Sequence, residues 1–200
     1  MDLNPEQRRE GGEEYPGARW LRGESPREIL DNLLAARALE IESRVAARLD
    51  SRAVLLDPER TYLRALAHTA RKAFFYRGEP PLDTFLEACI DRGIDDLVDE
   101  DVEAERSGAS LDPADMRYQL IAQSLGIDAR KARQVCVVLN TSHDELRHAI
   151  YALLVQRKTL NRYVAEGHGP PQRVRELVRE GLRRLSLAFG RDIDPREYGL

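Results

Sequence analysis

Cysteine, aromatic residues and long apolar runs are all scarce in this sequence of 200 residues. The two cysteines, Cys89 and Cys136, lie far apart without Cys-x-x-Cys spacing or paired histidines, which favours buried thiols in a reducing compartment over a metal site. No run approaches the ~20 apolar residues that cross a bilayer, and the polar N-terminus lacks the apolar segment of a secretory signal. We therefore predict a cytoplasmic protein without a membrane partner.

The abundant residues predict an all-α fold. Hydrophobic residues make up 42% of the chain and charged residues 33%, a balance typical of a globular protein. Alanine, leucine, arginine and glutamate dominate, and they favour helices, whereas only 6% of residues are aromatic. The length allows one large or two small domains, and we predict two small helical domains joined by a linker.

The charge is unevenly distributed, although the formal net charge is only −4. Eleven acidic residues lie between positions 79 and 105, where Arg92 is the only basic residue. Between positions 147 and 200, eleven basic residues accompany six acidic ones. This asymmetry predicts two parts with different partners.

Turn and capping signals divide the chain into four predicted segments. Residues 1–24 lack periodicity, and we interpret them as a flexible leader. A capping box at Ser25 opens a helical domain over 25–106, the stretch SGASLDP predicts a linker over 107–115, and a second domain covers 116–200. In the first domain we predict one helix to about Leu49, a second from Asp57-Pro58 and a third after Pro81. The outer face of the third helix is acidic.

The stretch from Leu139 to Leu187 predicts three further helices. The first opens at a capping box, Ser142-x-x-Glu145, and the second covers about Leu160 to Ala165. After a Gly-His-Gly turn and two prolines, the third buries Val174, Val178, Leu182 and Leu185 and presents arginines on its opposite side. A helix, a tight glycine-containing turn and a second helix with a cationic face are typical of a DNA-binding helix-turn-helix.

A second segment, 121–133, has similar spacing. Ala122 is followed four residues later by Gly126, and then by the basic residues Arg130, Lys131 and Arg133. A helix from Met116 to Leu125 and another that Asp128 caps would contain it. Because the apolar run that follows must be buried, structural packing is the favoured interpretation, and a second DNA-binding unit remains the alternative.

From about Ser25 to Leu187 the chain resembles a bacterial RNA polymerase sigma factor of the small two-domain type. Leu139-Asn140-Thr141-Ser142, Arg147, the loop around Arg157-Lys158, and Val174, Val178, Gly181 and Leu185 match the domain of that family that binds the −35 promoter element. The segment from Pro81 to Leu97 loosely resembles its −10-binding helix. The resemblance implies a sigma-like regulator that binds duplex DNA through the C-terminal domain and core RNA polymerase through the N-terminal one.

By this match, seven residues are implied to contact DNA: Lys158, Arg162, Gln172, Arg173, Arg175, Arg179 and Arg183. The start of the third helix would reach base edges, and the remaining cations would lie nearer phosphates. A solvated face in which Glu176 and Glu180 pair with neighbouring arginines is the alternative.

The acidic helix departs from the family. A helix that holds melted DNA needs basic and aromatic residues, whereas acidic residues occupy most of the tract from Asp91 to Asp101. Phe74, Phe75 and Tyr76 are the nearest aromatic cluster, and we expect them in the core, with base stacking as the alternative. The competing interpretation is a sigma-like interaction module that does not bind or melt promoters, whose acidic helix docks a basic regulatory protein.

The sequence contains little that predicts an enzyme. Its acid-and-histidine cluster, His143-Asp144-Glu145 with His148, places the two histidines five residues apart, off the shared helix face that metal ligation needs. The glycines at 167 and 169 lack the Lys-Ser/Thr pair of a phosphate loop. We predict no catalytic residues, metal or cofactor.

Overall fold

The computed structural model describes residues 18–36, 40–110, 118–119, 122–123 and 127–190, and their regular structure is entirely helical. The all-α prediction is therefore confirmed. A 3₁₀ helix, Ala18–Leu21, precedes α1, and a π-helical turn, Tyr151–Val155, continues α6. The α-helices are α1 Pro26–Ala36, α2 Ile41–Ser51, α3 Pro58–Ala73, α4 Leu82–Arg106, α5 Ala129–Asn140, α6 Asp144–Ile150, α7 Leu160–Ala165 and α8 Pro171–Phe189. Most of the leader and of the helix predicted from Met116 to Leu125 lie outside the described residues.

The first four helices share one apolar core. Residues such as Ile29, Val45, Leu66 and Ile94 are almost fully buried in it, and the half-buried Trp20 packs against it. The prediction of one helix from Ser25 to Leu49 was wrong, because α1 ends at Ala36 and Glu40 adopts left-handed geometry (φ 46°, ψ 36°) before α2. The two shorter helices each pack on α3.

The third and fourth helices follow the predicted signals. The Asp57 carboxylate caps α3 by accepting a hydrogen bond from the Arg60 N–H at 2.8 Å. The apolar face of α4 is buried against α3, and the two backbones approach closely at Gly93, where a Cβ would lie 3.2 Å from the Ala65 nitrogen. Cys89 is fully buried on this face, as expected.

The last four helices form a second apolar cluster. Asp128 caps α5 by accepting from the Lys131 N–H at 2.9 Å, as predicted. Cys136 is fully buried, and burial raises the pKa of its thiol to about 12. This confirms the expectation of two buried thiols.

The capping box predicted at Ser142 does not form. The Ser142 hydroxyl donates backwards to the Val138 carbonyl at 2.7 Å, within the last turn of α5. The N-cap of α6 is instead His143, whose Nδ1 accepts from the Leu146 N–H at 3.4 Å. A serine two residues after the end of a helix has carbonyl oxygens of that helix within reach, and they compete with the next helix for its hydroxyl.

Polar contacts join the two groups of helices. Arg133, only 4% exposed, donates to the Glu105 carboxylate at 2.8 Å and to the Ala109 carbonyl at 2.9 Å. Near α6, the Gln156 amide donates to the Asp50 carboxylate at 2.6 Å. Helices α4 and α5 also pack against each other. The division into two domains at 107–115 stays a prediction.

Candidate nucleic-acid interface

Helices α7 and α8 are joined by a glycine-containing turn. The Thr159 hydroxyl caps α7 by accepting from the Arg162 N–H at 3.2 Å. Gly167 (φ 91°) and Gly169 (φ 105°) adopt backbone geometry that residues with a Cβ rarely tolerate. Between them, the His168 ring stacks on Tyr163, with ring centroids 4.2 Å apart and planes 9° apart. The turn is thus fixed by backbone geometry and by a ring contact.

The buried face of α8 is the predicted one. Val174, Val178, Leu182 and Leu185 are at most 3% exposed. A Cβ at position 181 would collide with the Ile150 side chain, so a glycine there permits the close approach of α6 and α8. This packing determines which residues of α8 face outwards.

Five of the seven predicted DNA-contacting residues have partners within the chain. Their contacts are Lys158–Glu166 (2.7 Å), Arg162–Glu166 (3.2 Å), Gln172–Glu176 (3.2 Å), Arg173–Glu145 (3.1 Å) and Arg183–Glu180 (2.9 Å). The alternative that glutamates pair with the arginines of this face therefore describes much of the surface. Arg173 pairs with Glu145 of α6, whereas the sequence analysis had named only Glu176 and Glu180 as partners for these arginines.

The other two predicted contacts, Arg175 and Arg179, form no ion pair or hydrogen bond with any described residue. Arg179 is exposed and Arg175 is half-buried. Together with Gln172 and Arg183 they recur at three- and four-residue steps, which places all four on one side of α8. Arg173 and Arg184 lie on the other side, nearer to α6.

The segment remains cationic despite its ion pairs. Residues 157–190 contain eight basic residues and three glutamates. Side-chain hydrogen bonds from Arg183 and Arg184 lower the pKa of Glu180 to about 2. Hydrogen bonding and the charge of Lys158, followed by those of Arg162, likewise lower the pKa of Glu166. Both carboxylates are therefore ionised at neutral pH, and the ion pairs are intact there.

Arginines of α2 and α3 pair with the acidic helix α4, a feature that our sequence analysis missed. Asp91 binds Arg48 at 2.6 Å, and Asp95 binds Arg52 at 2.7 Å. The same pattern extends along both helices, where Arg44 pairs with Asp83 and Arg60 and Arg64 pair with Glu100. The signal was present in the sequence, because Arg44, Arg48 and Arg52 recur at four-residue steps. Much of the acidic face is thus neutralised within the chain.

The aromatic cluster is divided between core and surface. Tyr76 packs on Phe85, with centroids 4.4 Å apart, and its hydroxyl donates to the Pro80 carbonyl at 2.8 Å. Phe74 and Phe75 are 46% and 75% exposed, so the expectation that they lie in the core was wrong. They follow the last residue of α3 and lie between Ala73 and Tyr76, which both contact the core, so their side chains face outwards.

The histidines of α6 have structural partners. His143 caps the helix, and the His148 Nε2 donates to the Ser51 carbonyl at 2.9 Å. In the described part of the chain, no group of three or more histidine, cysteine or acidic residues is arranged to hold a metal ion. A cleft of about 440 Å³ lies between α6, the turn and α8, and the Arg173–Glu145 pair lines it.

The second segment, 121–133, is described only in part. Arg133 is buried and bound to Glu105, which takes it away from any ligand surface. Arg130 and Lys131 are exposed in the first turn of α5. Residues 124–126, which include the predicted turn, lie outside the described residues.

Comparisons of the chain with protein families, with curated proteins and with solved structures found no match. Within the described ranges, no helix is both long enough and apolar enough to cross a membrane.

Proposed function

We propose that this chain is a sigma-factor-like transcription regulator that binds duplex DNA through α7, the glycine turn and α8. Core RNA polymerase is its proposed second partner, through the N-terminal helices. The observation that carries the DNA proposal is the pair Arg175 and Arg179, which have no acidic partner among the described residues. They lie on one side of the helix that follows the turn, in a segment with a net charge of +5.

The dimensions and charge of α8 suit a duplex. A helix of 19 residues is about 28 Å long, and the major groove admits an α-helix. Cations that contact phosphates release condensed counterions, which gives binding its salt dependence. Arg175 and Arg179 are available for such contacts without first breaking an ion pair with a described residue.

The paired cations can also contribute, because their ion pairs are exposed. Arg162 and Arg183 keep 71% and 64% of their side-chain surface exposed. Exposed pairs of this kind contribute little to stability, so a phosphate can replace the glutamate at little cost. The glutamates nevertheless repel DNA, which favours moderate affinity.

The proposal is tested by fluorescence anisotropy with labelled duplex DNA over a series of salt concentrations. For Arg175→Ala/Arg179→Ala we expect weaker binding and a salt slope reduced by about two, with unchanged helical content. Arg92→Ala/Arg106→Ala is the matched control, because it removes the same charge from exposed positions on α4. A wild type without salt-dependent binding at low ionic strength would contradict the proposal.

The second candidate is a sigma-like interaction module that no longer binds or melts promoters. The exposed pair Phe74 and Phe75 favours it, since adjacent exposed aromatic side chains often mark a binding surface. The ion pairs of α4 make its acidic face a weaker docking surface than the sequence suggested. Selection of bound sequences from random duplexes, with and without core polymerase, separates the two candidates.

A further inference from the structure

The outer side of α3 carries an exposed apolar row in the first group of helices. Leu63 and Phe74 are 55% and 46% exposed, Ala67 between them is half-buried, and Phe75 continues the row at 75% exposure. We name these four residues the α3 ridge. Phe74 retains helical backbone geometry (φ −55°, ψ −31°), so it continues the line of the helix.

The spacing of the ridge is that of a helix-packing surface. Positions 63, 67 and 74 fall on one side of α3, opposite Thr61, Ala65 and Thr69, which are fully buried. Ala70, which lies between Ala67 and Phe74 on the same side, is small and only 2% exposed, so the larger side chains of the row stand at its two ends. At 1.5 Å per residue the row is about 16 Å long. Rows of side chains at three- and four-residue steps are the ridges that fit the grooves of another helix.

Two cations flank the aromatic end of the ridge. The Arg71 guanidinium donates to the His68 Nδ1 at 3.1 Å, and the Arg77 guanidinium donates to the carbonyls of Phe74 and Tyr76. Neither of them forms an ion pair with a carboxylate in the described part of the chain. Both side chains are exposed, and the contact with the Phe74 carbonyl holds Arg77 close to the end of the ridge.

We propose that the α3 ridge docks an amphipathic helix of a partner protein whose apolar seam is flanked by acidic residues. The seam would cover Leu63, Ala67 and Phe74, and the acidic residues would face Arg71 and Arg77. Single-stranded nucleic acid fits less well, because Leu63 and Ala67 offer neither charge nor a stacking surface.

This proposal is independent of DNA binding by α7 and α8, which lie in the other group of helices. The two ideas fail separately, since a chain that does not bind duplex DNA can still bind a helix through α3.

The test uses a displayed library of helices of about 20 residues, long enough to cover the ridge. Each helix has a fixed leucine seam, and its flanking positions are randomised among glutamate, lysine and serine. The library is selected on the full chain and counter-selected on Phe74→Ser/Phe75→Ser. Because both side chains are exposed, this variant is expected to fold, which circular dichroism checks.

We expect selected helices to carry glutamate at one end and to bind the double variant about tenfold more weakly. Arg71→Glu/Arg77→Glu should weaken binding of the same helices, whereas Leu187→Ser, which alters an exposed apolar residue on α8, should not. Enrichment of lysine or serine would overturn the proposal, and so would undiminished binding to the phenylalanine variant. A thymidine oligonucleotide that binds the wild type in a Phe75-dependent manner and displaces the helices would assign the surface to nucleic acid instead.

Discussion

The side-chain amide of Asn140 pairs with both backbone polar groups of Leu55. Its Oδ1 accepts from the Leu55 N–H at 2.8 Å, and its Nδ2 donates to the Leu55 carbonyl at 2.9 Å. Asn140 ends α5 and is only 7% exposed, so this contact joins the two groups of helices across 85 residues of sequence. Beside it, the Arg147 guanidinium donates to the Arg52 carbonyl at 2.9 Å.

Asn140→Leu should destabilise the protein by about 2 kcal/mol, because it leaves the Leu55 N–H and carbonyl without partners in a partly buried place. Urea denaturation followed by circular dichroism measures the change. Thr141→Val is the control, since Thr141 is exposed and its hydroxyl donates to the Val137 carbonyl within the last turn of α5. Equal stability of Asn140→Leu and the wild type would show that the paired amide contributes nothing.

Gly181→Ala should destabilise the protein by about 1–3 kcal/mol, because the added methyl group would overlap the Ile150 side chain. Shortening Ile150 makes room for it. We therefore expect Gly181→Ala/Ile150→Val to be more stable than the sum of the two single changes predicts. Thermal unfolding of the four proteins measures this coupling, and strict additivity would contradict a direct contact between the two positions.

The helices that begin with a local signal were predicted well from the sequence. Asp57-Pro58, Asp128 and the turn before Pro171 each act within a few residues, and α3, α5 and α8 begin where they indicate. The apolar periodicity of α8 also identified its buried face, and hence which of its residues face outwards.

Features that depend on distant residues were not predictable in the same way. The Asp91–Arg48 pair spans 43 residues, and the Arg173–Glu145 pair spans 28, so no local pattern contains either of them. The hydroxyl of Ser142 could either cap the following helix or donate to a carbonyl of α5. The position at which α5 ends decides between these two bonds. Phe74 and Phe75 are apolar, but their exposure depends on which way the chain faces after α3 ends at Ala73, and no local pattern determines that.

Asp91→Asn should lower stability at neutral pH by about 2 kcal/mol, because it weakens charge-assisted hydrogen bonds from Arg48 and Arg52. Burial by itself raises the pKa of Asp91, but the hydrogen bonds and charges of the two arginines outweigh it and hold the pKa below its usual value. The folded state thus binds this proton more weakly than the unfolded state. The contribution is complete above the unfolded pKa and is lost as the pH falls through the folded one.

Urea denaturation between neutral pH and the acid limit of folding tests this. The variant should lose less stability on acidification than the wild type. Asp99→Asn, an exposed change on the same helix, should follow the wild type at every pH. If the free energy of unfolding changes with pH in the same way for the wild type and for Asp91→Asn, the loss of stability in acid does not come from Asp91.

Glu180→Gln should strengthen duplex DNA binding, if α8 contacts DNA as proposed. Glu180 holds Arg183 at 2.9 Å and Arg184 at 2.8 Å, and its charge repels phosphates. Its pKa of about 2 means that lowering the pH cannot release these arginines under conditions where the protein and duplex remain intact, so substitution is the appropriate test. Since Arg183 lies on the same side of α8 as Arg175 and Arg179, its release should add about one phosphate contact. The salt slope should then steepen by about 0.9.

Asp99→Asn makes the same change in net charge on α4, and it separates a local effect from a bulk one. If both variants bind DNA more tightly than the wild type by the same factor, the effect is long-range electrostatic attraction alone. Such attraction is largely screened beyond about 8 Å at physiological salt. If Glu180→Gln strengthens DNA binding in the wild type but not in the Arg175→Ala/Arg179→Ala variant, the duplex lies on the side of α8 that carries Arg175 and Arg179. Unchanged DNA binding in both variants would remove α8 from the DNA interface, because the loss of a negative charge beside bound phosphates must alter affinity.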